Sequence, residues 1–264
     1  MKISDFPPIL RAKVPAEPST FRPENLVREA RRQLRREAGG VPPLCLLDPD
    51  GDILSWLREK DLAKKSRSWA CYHTELFEFD WEGRKYGIVG KVVGGPFAVL
   101  VAEQMFASGC RLIVSVTSAG QIEPELDLPS FILIESALRD EGTSYHYLPP
   151  GDYAACPAAL VERLKPALEA LPFPVLNGAT WTTDAPYRET ERAIADARAR
   201  GILAVEMEAA SLYAFAAARA HDIVCFAHVT NRMAAHGVDF EKGAEDGAAE
   251  ALQIMAAGGT LLGC

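Results

Sequence analysis

The sequence predicts an α/β fold in which a mostly parallel sheet is wrapped by helices. Three observations predict it. From residue 41 onward, short apolar runs alternate with helical patterns, as expected of strands joined by crossover helices. Several runs are apolar at every position, as strands covered on both faces are. The chain has 264 residues, 48% hydrophobic and 24% charged, which suits one large α/β domain without disulfides.

Residues 1–22 are proline-rich and read as an extended arm. Residues 23–38 carry Arg28, Arg31, Arg32, Arg35 and Arg36 before Gly39-Gly40, a pattern that predicts a short basic surface helix with a glycine stop. Such a helix is by default a solvated one, with anion or partner binding as the alternative. Residues 1–40 are thus an arm and a short basic helix, and 41–264 a single domain. Its strands are predicted at 43–47, 76–79, 86–89, 112–116, 131–134, 175–178, 203–205 and 223–229. Its helices are predicted at 96–108, 158–170, 186–200, 207–220 and 244–257.

The totals exclude several classes. A formal net charge of −8 with no extended basic face argues against nucleic acid and anionic membrane as partners. The six cysteines are scattered, with no C-x-x-C pair, so neither a metal site nor a disulfide scaffold is expected. Cysteines in apolar runs, such as Cys225, predict a reducing, cytoplasmic compartment. The N-terminus lacks an apolar signal core, and no window reaches the ~18 apolar residues of a membrane span.

In such sheets ligands bind where strands run out into loops that lead into helices. Four strand ends qualify. Gly90-Lys91-Val92-Val93-Gly94-Gly95-Pro96 combines two glycines that let backbone approach a ligand with a proline suited to a first helical position. It lacks the dinucleotide fingerprint and reads otherwise as a tight strand–helix turn. Ser115-Val116-Thr117-Ser118-Ala119-Gly120 offers hydroxyls and free N–H groups for an anion or a sugar oxygen, with a simple turn as the alternative. In the run from Gly178 to Arg192, three threonines precede Asp184, which is expected to cap a helix opening at Pro186. Arg188, Thr190 and Arg192 can present donors to a flat heterocycle. The fourth pairs Val205-Glu206-Met207-Glu208 with His228-Val229-Thr230-Asn231-Arg232. Two carboxylates at a helix start gain from its dipole. Directly after an apolar strand they also need donors, which the 2′- and 3′-hydroxyls of a ribose supply.

In order and spacing these loops resemble the nucleoside phosphorylase superfamily, and within it the uridine phosphorylase branch. The resemblance spans roughly residues 43–257. It rests on Val205-Glu206-Met207-Glu208-Ala209-Ala210, on the stretch from Arg139 to Pro149, and on the threonine-rich stretch 178–192. It implies a three-layer α/β/α sandwich and a dimer-based homo-oligomer, up to a hexamer, with sites near subunit contacts. It implies that Glu208 accepts the ribose hydroxyls, that Met207 and Glu206 line the sugar, and that Ser118 lies between sugar and phosphate. Lys91 and Gly94 fall on the phosphate side. Ala119, Gly120, Pro186, Thr190 and Arg192 fall on the base side. Asn231 and Arg232 match that branch's Asn-Arg after the late strand, where purine branches carry an Asp. The implied chemistry is phosphorolytic cleavage of a nucleoside, with phosphate as co-substrate and no metal.

The sequence departs from that pattern mainly at phosphate. The arginine expected three residues before Ser118 is Ser115. The Gly-Asp-Pro turn with its following arginine reads Leu47-Asp48-Pro49-Asp50-Gly51. The place of a third arginine, from a neighbouring subunit, falls near Tyr72-His73. An arginine–phosphate pair is bidentate and charge-assisted, so these losses weaken phosphate binding. Lys91 would restore one charge, and Arg188 or an arginine of the 28–36 cluster of another subunit more. On the base side, the uracil-binding Gln falls at Thr190 and the aromatic platform at Pro186. A threonine cannot offer the paired donor and acceptor of an amide. Three readings follow: a phosphorolytic enzyme, a hydrolase that uses water, and a non-catalytic nucleoside-binding protein.

Overall fold

The computed structural model describes residues 7–11, 13–232 and 240–263. Strands β1 (Leu44–Asp48), β4 (Arg84–Gly90), β5 (Leu112–Gln121) and β10 (Asp222–Asn231) run parallel in the order β4-β1-β5-β10. Leu46, Leu47, Ile88, Val114 and Phe226 are buried among them, which explains their unbroken apolar runs.

Beyond β10 the direction changes. β6 (Ser130–Asp140) runs antiparallel to β10, β8 (Val175–Thr183) parallel to β6, and β9 (Ile202–Glu206) parallel to β8. β9 then closes antiparallel on β5, with Val205 opposite Gly120. Five strands, β5-β10-β6-β8-β9, therefore form a closed ring, and β1 and β4 extend from it. β3 (Phe77–Trp81) and β2 (Ala63–Lys65) add an antiparallel edge, and β7 (Tyr153–Ala155) pairs with β6. Antiparallel pairings are more numerous than the continuous apolar runs led one to expect. Ring closure buries β6 as fully as a parallel crossover would, so its sequence carries no sign of direction.

The helices fall into two groups. α3 (Gly95–Ala107) packs on α6 (Ala209–Arg219), and α1 (Pro23–Gln33) lies on α3. Val27 and Ala30 of α1 are buried with Ala70, against Ala107, so the basic helix is tied to the domain by its apolar stripe. Arg31 donates to the carbonyl of Gly39 at 2.9 Å. α2 (Asp52–Glu59) and α4 (Ala158–Glu169) both pack against α7 (Ala248–Gly258), and α5 (Glu191–Ala199) packs on β9. Five cysteines (45, 71, 110, 156 and 225) are buried free thiols; Cys264 lies outside the described residues. Among the described residues, no helix is long and apolar enough to cross a membrane.

Two local expectations fail. The helix expected from Pro186 begins at Glu191, after a 3-10 turn at Pro186–Arg188. Thr190 caps it, its Oγ1 accepting the N–H of Ala193 at 3.2 Å. Asp184 is not the cap: it accepts the N–H of Gly142 at 2.8 Å. Helix α2 had no counterpart in the sequence reading. The buried carboxylate of Asp48 starts it, accepting the N–H groups of Gly51 at 3.0 Å and Leu54 at 2.9 Å. Burial pushes that carboxyl up to about 7.

Candidate functional site

The carboxyl ends of β1, β4, β5 and β10 meet the end of β9, because Gly120 pairs with both Asn231 and Val205. This one residue brings the 118–120 end of β5, the Asn231 strand end and the 205–208 segment together.

Glu206 and Glu208 are both buried in that segment, and they differ in what surrounds them. Glu206 accepts the hydroxyls of Thr180 and Thr182 from β8. It also accepts the backbone N–H groups of Glu208 and Ala209, each at 2.7 Å. A carboxylate has about four acceptor positions, and four donors fill them. Glu206 is thus an anchor for the start of α6, not the sugar contact expected of it. Glu208 accepts the N–H of Gly94 at 2.6 Å and the hydroxyl of Thr117 at 2.9 Å. About two of its acceptor positions remain. Burial and then the charge of Glu206 push its carboxyl up to about 8; burial likewise raises that of Glu206.

The glycine loop is shaped for the contact with Glu208. Gly94 has φ 89°, a left-handed value that favours glycine, and presents its N–H to the acid. Gly95 opens α3 where a Cβ would lie 2.1 Å from Ser211 Oγ. Ser211 in turn donates to Glu141, which also accepts the N–H of Thr143 at 2.7 Å and of Ser144 at 2.9 Å. The stretch from Arg139 to Pro149 is held within itself as well. Arg139 donates to Ser144 Oγ and to the carbonyl of Pro149, both at 2.8 Å. This part of the resemblance is therefore scaffold beneath the site.

Other expected residues lie nearer the rim. Met207 is half-buried between the two acids, and Ala119 is buried. Lys91 is exposed, in a left-handed conformation (φ 63°), its N–H donated to the carbonyl of Asp48 at 2.9 Å. Thr190, Arg192 and Arg232 are exposed and Pro186 is half-buried; the hydroxyl of Thr190 is engaged in its cap. Tyr187 is 98% exposed.

Sequence reasoning missed three groups. Thr117 stood in the quoted loop without a role, yet it holds Glu208. Asp50 accepts the N–H of Ser118 at 2.7 Å. Lys242 pairs with Asp52 at the start of α2. A backbone tie positions that lysine: Phe240 bridges to Asn231, and Glu241 donates its N–H to Thr230 at 2.7 Å. Thr117 had a signal as a hydroxyl at a strand end, and Asp50 lay in a turn read only for its lost glycine and arginine; Lys242 had none. Among the described residues, no group of three His, Cys, Asp or Glu side chains could hold a metal ion. A separate cavity of about 510 Å³ between the arm and α3 and α6 contains none of the expected site residues.

A mixed sheet closed through β9, with an acid-bearing segment at the common strand ends, defines a nucleoside phosphorylase-like α/β fold. The chain belongs to the phosphorylase superfamily, whose family model matches residues 44–258. A uridine phosphorylase of Thermococcus kodakarensis is 30% identical over 195 residues, covering 67% of this chain and 69% of that protein. A DeoD-type purine nucleoside phosphorylase of Myxococcus xanthus is 31% identical over 143 residues, covering 53% and 60%. For the first curated relatives the match covers only 50–60% of their length. The fold is that of a uridine phosphorylase from Vibrio fischeri solved with 6-hydroxy-1-naphthoic acid, with TM-score 0.68 at 20% identity, covering 84% of this chain and 92% of that one.

Proposed function

We propose that this chain cleaves the N-glycosidic bond of a nucleoside, with phosphate as the acceptor, giving free base and a sugar 1-phosphate. The observation that carries the reading is the contrast within residues 206–208. One acid is saturated by its own scaffold, and its neighbour keeps acceptor positions for hydroxyl donors. A ribose 2′,3′-diol supplies two such donors, and Met207 offers the sugar an apolar face.

In this reading Glu208 holds the diol while the C1′–N bond breaks. The electron pair leaves with the base nitrogen, which takes up the proton that hydrogen phosphate gives up as its oxygen bonds to C1′. Positive charge develops at C1′, and the buried negative charge of Glu208 stabilises it. Phosphate oxygen then bonds to C1′ from the opposite face, on the side of Ser118, Gly94 and Lys91. Asn231 and Arg232 at the end of β10, with Ala119, Gly120, Pro186, Thr190 and Arg192, face the base. The named activities of the relatives, which take uridine and purine nucleosides, support the reaction class without choosing a base. Five free thiols support a reducing, cytoplasmic setting. A homo-oligomer is the assembly the family resemblance implies.

The test is a panel of purine and pyrimidine nucleosides assayed with and without inorganic phosphate, with analysis of the sugar product. Phosphate-dependent release of base with a sugar 1-phosphate is expected; no turnover of any nucleoside would overturn the reading. Water as acceptor is the second reading. It is favoured by Ser115 in place of the expected arginine and by the carboxylate of Asp50 on the Ser118 amide. A free sugar formed equally well without phosphate would establish it.

A further inference from the structure

We propose that Asp50 selects the acceptor, because its carboxylate occupies the backbone amide that an oxyanion acceptor would use. The proposal rests on the nucleoside-cleaving reading above and adds a residue to it.

The geometry begins with strand lengths. β1 pairs with β5 only as far as Leu47 opposite Ser115, and β1 ends at Asp48. β5 runs on to Gln121. Residues 116–119 therefore outrun β1 and precede the pairing with β9 that begins at Gly120, so among the described residues their backbone groups facing that side have no strand partner. An N–H left in this way at the parallel strand ends is where an anion binds. For Ser118 the place is taken: the N–H donates to Asp50 at 2.7 Å. Asp50 is exposed, so it sits at the surface of the strand ends, not in the core. The turn that carries it, Asp48-Pro49-Asp50-Gly51, is fixed from below by the Asp48 carboxylate.

A carboxylate on a lone amide is a chain-borne substitute for a bound oxyanion. Phosphate reaches the Ser118 amide only by displacing it, and any phosphate alongside meets its negative charge. Lys242, held by Asp52 and within the field of Asp50, is a nearby cation besides Lys91, which lies against Gly51. Water meets no such charge penalty. Asp50 thereby tilts the site away from phosphate relative to a chain with a neutral residue in this turn.

The experiment is calorimetric titration of inorganic phosphate into wild-type protein, Asp50→Asn and Asp50→Ala, without nucleoside. The same three proteins are then assayed for the KM of phosphate. Both variants are expected to bind phosphate about tenfold more tightly, the order expected when one unit charge is removed a few ångströms from an anion at a wet rim. Their KM for phosphate falls in parallel. Phosphate affinity unchanged or weakened in both variants would overturn the role of Asp50. Failure of the functional reading looks different: neither wild type nor variant would release base from any nucleoside, whatever the titration shows.

Discussion

The backbone N–H of Glu208 donates to the carboxylate of Glu206 at 2.7 Å. One acid therefore sets the position of the other. Glu206 collects two threonine hydroxyls from β8 and two N–H groups at the mouth of α6, and so fixes the strand–helix corner from which Glu208 projects. Replacing it with glutamine turns one acceptor oxygen into a donor facing donors. Glu206→Gln is expected to destabilise the fold by about 1–3 kcal/mol, measured by urea denaturation. A fold unchanged in stability would refute the anchoring role.

Glu208 does its proposed work only when ionised, because a protonated carboxyl loses acceptor capacity and the negative charge. Burial, and then the charge of Glu206, raise its carboxyl to about 8. The expected kcat/KM for a nucleoside therefore rises with pH and levels off above about 8. Bound hydroxyls favour the charged form, so kcat should level off at lower pH than kcat/KM. Glu208→Gln is expected to keep the fold and to lower kcat/KM by about 100-fold or more. A flat profile from about pH 6 to 9 in wild type would remove Glu208 from the sugar site.

Gly95 and Ser211 leave no room for a methyl group between α3 and α6, since a Cβ on Gly95 would lie 2.1 Å from Ser211 Oγ. Ser211 cannot turn away freely because it donates to Glu141. Gly95→Ala is expected to cost about 1–3 kcal/mol as an overpacked contact and to shift the Gly94 N–H off Glu208. Ser211→Gly in the same chain should recover part of that stability. Denaturation of the single and double variants measures the coupling, and strict additivity would show that the two positions do not meet.

How much of this was legible in the sequence depended on whether a feature is local. The predicted apolar runs mark eight of the strands; in β1, β4, β5, β6 and β10 burial on both faces leaves a continuous trace, whereas the run at 175–178 of β8 lies largely at the surface. The closure of β9 on β5 left none, since it rests on a pairing of Gly120 with Val205. Helix α2 was hidden behind Asp48-Pro49-Asp50-Gly51, which reads as a turn, although Ile53 and Leu57 are its buried stripe. β2 and β7 are three residues each, too short for any period. The segment 205–208 stood out as acidic, but the division of labour within it depends on Thr180, Thr182, Gly94 and Thr117. Asp50 was read only as the loss of a glycine and an arginine. Its partner is a backbone amide 68 positions away, and no residue type announces that.

His228 gives the fold a defined weakness in acid. Its ring stacks on Phe131 with centroids 4.3 Å apart. It is closed in by Gly247, where a Cβ would lie 2.3 Å from Cε1. Burial, and then the charge of Lys242, push its pKa from 6.5 down to about 4. Between those values the unfolded chain binds a proton that the folded chain does not. Stability is therefore expected to rise with pH across that window and to fall toward its acid end, by up to about 3 kcal/mol from this group. Asp48 and Glu208 act in the opposite sense. Their folded pKa values are raised to about 7 and about 8, so each lowers stability as pH climbs from its unfolded value. The wild-type curve is thus a sum of opposed slopes, and the difference from a variant isolates one of them. His228→Asn removes the titrating ring. It should lower stability near pH 7 through lost packing, and the gap to wild type should narrow steadily from about pH 6.5 to pH 4. Urea denaturation at several pH values reads that gap, and a constant difference would show that His228 titrates alike in the folded and unfolded chains.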